Sequence, residues 1–234
     1  KMKKNAAVLT AIMVFAVAAF AAAPRTLTES LPAEALETID LTSGIGDVQV
    51  TAREGADEVS IEVMLTPRRG GFFSSKRKAE QEVEAASLKA TVKGTRLKIG
   101  IDPPADDDRR FEERWTIEMP TNLFLTLNHG VGDVIVEDAR AGLEIDSGVG
   151  DVRVEARAGD INIDLGVGTA VVRAPAESYG SAEGAGGVGD ARLTVRGERI
   201  SSGGFIGHAA RWTGDGRHHI EVSVGVGDAV ITLD

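Results

Sequence analysis

The feature that most restricts the fold is a seven-residue phrase that keeps returning. Gly-Ile-Gly-Asp-Val-Gln-Val at 44–50 recurs as Gly-Val-Gly-Asp-Val-Ile-Val at 130–136 and as Gly-Val-Gly-Asp-Val-Arg-Val at 148–154. A weaker copy, Gly-Val-Gly-Thr-Ala-Val-Val, follows at 166–172. Two clear ones are Gly-Val-Gly-Asp-Ala-Arg-Leu at 187–193 and Gly-Val-Gly-Asp-Ala-Val-Ile at 225–231, with a degenerate Phe-Ile-Gly-His-Ala-Ala at 205–210 between them. From the second copy on, the second-glycine positions (132, 150, 168, 189, 207 and 227) are 18 to 21 residues apart. Such a period marks stacked units, each unable to bury its apolar face alone.

Every unit reads as two short strands. After the glycines, Val134/Val136, Val152/Val154, Ala170/Val172, Ala191/Leu193 and Ala229/Ile231 share one face. Between copies, Leu143-Glu144-Ile145 and Ile161-Asn162-Ile163 alternate likewise after the Ala-Gly turns at 141–142 and 158–159. Period-2 alternation bounded by glycine predicts strands, and the spacing leaves no room for helices. The expected fold is therefore all-β, a single-domain β-solenoid with regular repeats over 128–234. The corner motif comprises Gly44, Gly46, Asp47, Gly130, Gly132, Asp133, Gly148, Gly150, Asp151, Gly166, Gly168, Gly187, Gly189, Asp190, Gly225, Gly227 and Asp228. Its second glycine is expected to supply a bend or positive φ that turns both Val131 and Val134 inward. Only ten aromatic residues (seven Phe, two Trp, one Tyr) fit a thin aliphatic core.

Residues 66–119 interrupt the pattern. They contain a basic loop, a helix expected at 79–88, strands at 88–92, 97–101 and 115–119, and a polar loop at 103–113. This small α/β insert is expected to pack beside or over the first units, because stacked repeats need covered ends. The repeated phrase, the strand Trp115-Thr-Ile-Glu-Met-Pro120 leading through Leu123-Phe-Leu-Thr-Leu127 into Gly130, and the charged insert together resemble the bacterial putative-adhesin family. This is the toast-rack group of β-strand-repeat proteins, and the resemblance spans about Thr28 to Asp234. It implies an exported or membrane-attached β-solenoid, with some relatives resembling modules of envelope-stress systems, and it brings no catalytic residues.

The N-terminus fits export. Lys1, Lys3 and Lys4 precede an uncharged run from Ala6 to Ala23, with Pro24-Arg25 after it, the pattern of a signal helix over 1–23. Cleavage after Ala21 satisfies the small-residue rule, and residues 24–234 form the mature domain. An uncleaved anchor is the competing reading, although eighteen Ala-rich residues are short for a span. Removing the three lysines takes the net charge from −10 to −13, which disfavours nucleic acid as a partner. With no Cys there are no disulfides, thiolate zinc sites or thiol catalysis.

No catalytic, cofactor or metal site is expected. Stacked corner aspartates about 4.8 Å apart would repel, bind cations or cap backbone N–H groups. Calcium-binding repeats place one residue between glycine and aspartate, whereas here Asp follows Gly directly, and Thr169 and His208 break the row. Capping is the favoured reading. His129, His208 and the adjacent His218-His219 read as solvated turn residues, because neighbours on a strand point to opposite faces. A carbohydrate-active enzyme would need paired carboxylates in a cleft. Asp146 and Asp164 occupy like positions in neighbouring units and read instead as solvated turn carboxylates.

Two regions are candidates for contact, although a solvated hairpin tip is the favoured reading of the first. Arg68, Arg69, Lys76, Arg77 and Lys78 surround Phe72 and Phe73, a combination suited to peripheral contact with anionic headgroups or an acidic polymer. The final strand, ending at Asp234, reads as an uncovered edge suited to self-association through 220–234. The functional expectation is a non-enzymatic exported scaffold for adhesion or cell-envelope interaction, with an unidentified protein or glycan partner. A sensory ectodomain working with a membrane partner in envelope stress is the alternative.

Overall fold

The computed structural model describes residues 24–68, 76–102, 110–200 and 206–234. The first strands are β1 (Arg25–Pro32), β2 (Thr38–Ile45), β3 (Val48–Arg53) and β4 (Glu58–Pro67), followed by helix α1 (Lys76–Ala85). Then come β5 (Ser87–Lys93), β6 (Arg96–Asp102) and β7 (Phe111–Pro120). The close-spaced repeats supply β8 (Phe124–Val131), β9 (Val134–Ala139), β10 (Leu143–Val149), β11 (Val152–Ala156) and β12 (Ile161–Ala174). The chain finishes with β13 (Tyr179–Val188), β14 (Ala191–Val195), β15 (Glu198–Ile200), β16 (Ile206–Thr213) and β17 (His218–Leu233).

These strands form two ladders that meet at the glycine corner. The first runs β5-β6-β2-β8-β10-β12-β17-β13-β16 and the second β1-β4-β7-β3-β9-β11-β12-β17-β14-β15. Because β12 and β17 pass through the corner into both ladders, hydrogen bonding joins them into one sheet of 17 strands. The molecule is nearly all-β, and its sheet is barrel-like and nearly closed. Pairing is parallel through the repeats and antiparallel at both ends. Register is fixed by pattern: a one-residue slip would turn every buried aliphatic outward.

The insert covers the first unit, with β6 pairing with β2 and β7 with β3. Strand β7 starts at Phe111, inside the expected polar loop, because Phe111, Glu113 and Trp115 alternate inward and are buried. Helix α1 begins at Lys76 and buries Ala79 and Val83. Its C-terminal end is held by Arg25, whose guanidinium donates to the carbonyls of Val83, Glu84 and Ala86 at 2.8 Å each. A cation at this end also complements the helix dipole.

Spatial order departs from chain order at one place. The last copy, in β17, lies between β12 on one flank and β13 and β14 on the other. The final strand is therefore no edge, which corrects the expectation of an uncovered strand at 220–234. The degenerate copy at 205–210 is no unit either: β16 runs antiparallel to β13, with His208 opposite Gly186. In the middle units the core is aliphatic, built from pairs such as Leu143/Ile145 and Val152/Val154. Fully buried rings sit nearer the ends, Phe111 and Trp115 in β7 and Tyr179 in β13.

Candidate functional site

The corner is built from four rows that cross the strands, each with one residue per unit. The first glycine row is Gly44, Gly130, Gly148, Gly166, Gly225 and Gly187, and the second is Gly46, Gly132, Gly150, Gly168, Gly227 and Gly189. All six of the second row have φ between +131° and +143°, a conformation other residues rarely adopt. Steric closeness adds a second requirement, since a Cβ on Gly150 would fall inside the carbonyl oxygen of Gly132. Both rows let successive backbones stack closely.

The aspartates link the units. Asp133 donates its backbone N–H to Oδ1 of Asp47 at 3.4 Å, and Asp151 donates to Asp133 at 3.0 Å. Thr169 donates to Asp151 at 3.1 Å and Asp190 to Asp228 at 3.0 Å. Nearby guanidiniums balance the row: Arg114 lies 3.7 Å from Asp47, Arg153 lies 3.6 Å from Asp151, and Arg192 reaches both Asp190 (2.6 Å) and Asp228 (3.4 Å). Each of these carboxylates is thus engaged by backbone, by arginine or by both. Among the described residues no group of three or more His, Asp and Glu side chains is placed to hold a metal ion.

Between the glycine rows lies a row that sequence reading placed inward. Val131, Val149, Val167, Val226 and Val188 are 44–50% exposed, and Ile45 continues the row at one end. Inward positions run Leu125, Leu127 and His129 before the corner and Val134 and Val136 after it, so the alternation changes phase between His129 and Val131, at the first glycine, and the valines face out. Six positions at about 4.8 Å spacing make a ridge roughly 24 Å long. Glycine on either side leaves the isopropyl groups free-standing.

A groove of about 880 Å³ lies on the outer face of the first ladder, lined by the glycines that precede the ridge valines by one residue. Its floor includes Gly130, Gly148, Gly166, Gly187 and Gly225, and its far wall carries Thr42, Asn128, Asp146, Asp164 and Ser223. Asp146 and Asp164 are directly paired in register, and both are exposed.

Beneath the corner is a small buried polar group. Ser43 Oγ lies 2.9 Å from His129 Nδ1, and both residues are buried. His129 is therefore not a solvated turn residue; its position alternates inward with Leu125 and Leu127. Burial pushes its pKa down, opposed by a backbone hydrogen bond to Gly132 and by Glu113, Asp47 and Asp133. Glu113, also buried, accepts from the Trp115 indole at 2.9 Å and from the Gly44 N–H at 3.1 Å. His218 and His219 open β17: His219 Nδ1 is 2.8 Å from Ser181 Oγ, and the His218 ring lies edge-on to Tyr179.

Of the basic loop, Arg69, Phe72 and Phe73 lie outside the described residues, as does the segment 1–23 expected to be a signal helix. Arg68 lies 3.7 Å from Glu112, while Lys76, Arg77 and Lys78 open α1, where Arg77 and Lys78 are exposed.

No protein-family model matches the chain, and no curated protein matches it. Solved structures do. A putative cell adhesion protein from Clostridium sporogenes superposes with TM-score 0.59 at 19% identity, covering 91% of this chain and 100% of that one. A putative adhesin from Bacteroides fragilis matches at TM-score 0.26 and 13% identity, covering 88% and 97%. A putative adhesin from Parabacteroides distasonis gives 0.28 and 9%, covering 88% and 97%. This chain shares its fold with the putative cell adhesion protein of Clostridium sporogenes, whose name is of the kind the repeats led one to expect.

Proposed function

We propose that this chain is a non-enzymatic, exported scaffold for adhesion or cell-envelope interaction, whose stacked units form a β-solenoid presenting one long binding corner to a protein or glycan. The observation that carries this reading is the in-register row of exposed valines between two glycine rows. Exposed apolar residues scattered singly need no explanation, but a contiguous row beside a groove is the form an interaction surface takes. The name of the Clostridium sporogenes structure supports the adhesion part.

The test is retention on native envelope fractions, followed by co-sedimentation of the purified mature chain. Wild type is expected to sediment with the envelope, and Val149→Asp/Val167→Asp is expected to lose most of that binding with an unchanged melting temperature. Equal retention of both proteins, or release of reducing sugar from envelope polysaccharide, would overturn the reading. The uncharged run Ala6–Ala23 favours a second reading, an anchored ectodomain that senses envelope stress with a membrane partner. N-terminal sequencing of the exported protein separates the two: a retained leader favours the ectodomain, and a start near Ala22 or Pro24 the free scaffold.

A further inference from the structure

The glycines that floor the corner groove lie between two flanks of different chemistry. On one side the chain continues from each of them directly into a ridge valine, exposed in every unit. The other belongs to an outer face whose central strands carry Glu144 and Asp146 (β10), Asp164 (β12) and Glu221 (β17). All four are exposed, and none forms an ion pair among the described residues. The ends of the row that holds Glu144 and Glu221 differ. Asp40 lies 3.3 Å from Lys98 and 3.7 Å from Arg96, and Glu183 lies 2.7 Å from Arg211. Four of the five corner aspartates, Asp47, Asp151, Asp190 and Asp228, are matched by Arg114, Arg153 and Arg192. Cations thus balance carboxylates on the surrounding surface but leave the middle of this wall uncompensated.

We infer that the groove binds an extended, cationic segment of a partner protein in which basic and aliphatic residues alternate. This rests on the scaffold reading above and names the chemistry of the partner. In an extended chain successive side chains point to opposite sides, so one set faces the valines and the other the carboxylates. A ridge of roughly 24 Å accommodates about seven extended residues. Gly130, Gly148 and Gly166 place no side chain between the walls, so the segment can lie directly on the floor. A second copy of this chain fits less well. The ridge is too narrow to supply the roughly 800 Å² per partner of a stable interface, and two acidic walls would face each other.

The probes are eight-residue blocked peptides measured by calorimetry against the mature chain. One alternates Lys and Val, one Lys and Ser, and one Glu and Val. At low salt the Lys-Val peptide is expected to bind, Lys-Ser to bind about tenfold more weakly, and Glu-Val not to bind. Asp146→Asn/Asp164→Asn is expected to weaken Lys-Val binding by about three- to tenfold at low salt, the range for two exposed ion pairs, and by little at 0.5 M salt. Val149→Thr/Val167→Thr keeps the β-branched shape and is expected to weaken it about tenfold at either salt. No binding at millimolar peptide, equal binding of the Glu-Val peptide, or indifference to both double substitutions would overturn the inference. So would occupation of the groove by a second copy, seen as concentration-dependent sedimentation lost in the valine variant. If envelope retention still depends on Val149 and Val167 while Lys-Val fails, the scaffold reading stands and the cationic partner falls.

Discussion

Replacing Gly150 by Ala tests whether the corner is held by backbone closeness or only by the conformational freedom of glycine. Gly94 is the control: its φ is +63°, and an added Cβ meets nothing within 4 Å. Gly94→Ala should therefore cost only the left-handed penalty, about 1–2 kcal/mol. Gly150 has φ +141° and faces the Gly132 carbonyl. The conformational part costs about 1–3 kcal/mol. Relieving the overlap must also separate two units joined by Gly132 N–H to Val149 O (2.9 Å) and Val134 N–H to Asp151 O (2.8 Å). Losing or weakening these bonds adds about 1 kcal/mol each. A total near 4 kcal/mol corresponds to a fall in melting temperature of roughly 8–16 °C, against about 2–8 °C for the control. Calorimetry of both variants decides. Equal losses, or a Gly150→Ala protein within 1–2 °C of wild type, would refute steric stacking as the reason for the second glycine row.

Three further outcomes follow from the same geometry. Asp133→Ala should lose about 1–2 kcal/mol in urea titration, because its carboxylate caps the Asp151 N–H, while millimolar calcium or EDTA should leave the melting temperature unchanged. His129, whose folded pKa lies below its unfolded value near 6.5, is buried neutral, so the unfolded chain binds the extra proton. Its contribution is complete above pH 6.5 and declines as pH falls below it, by up to about 1.4 kcal/mol per pH unit, and His129→Gln should flatten stability between pH 7 and 5. Arg25→Ala removes three bonds to the end of α1 and should cost about 1–3 kcal/mol, with faster amide exchange confined to Lys76–Ala85 and its contacts.

The periodicity of Val, Leu and Ile made the strands and their inward faces legible, because a two-residue alternation has one buried solution. Glycine positions located the corners for a related reason: no other residue tolerates φ near +135° against a neighbouring carbonyl. The facing of Val131 and its equivalents was misread because the turn was assigned to the second, left-handed glycine; the inward alternation of Leu125, Leu127 and His129 already breaks at the first, which puts Val131 on the outer side. His129 looked solvated beside a turn, yet its parity with Leu125 and Leu127 was the available signal for burial. The position of β17 was not legible, since parallel strands carry no local mark of their neighbours. Its pairing with β12 depends on which gap the antiparallel β15 and β16 leave open. The acidic wall escaped notice because Glu144, Asp146, Asp164 and Glu221 become neighbours only when that order is known.

Continuity of the valine ridge depends on that order, and cross-linking tests it directly. The chain has no cysteine, so introduced pairs report without background. Val226 pairs with both Val167 and Val188, which places it between them. Adjacent units bring Cα atoms about 4.8 Å apart, within disulfide range, whereas two units separate them by about 10 Å. Val167→Cys/Val226→Cys should therefore oxidise to an intramolecular disulfide, and Val167→Cys/Val188→Cys should remain reduced. The reverse result would mean that the units stack in chain order and that the ridge and its acidic wall are not assembled as described.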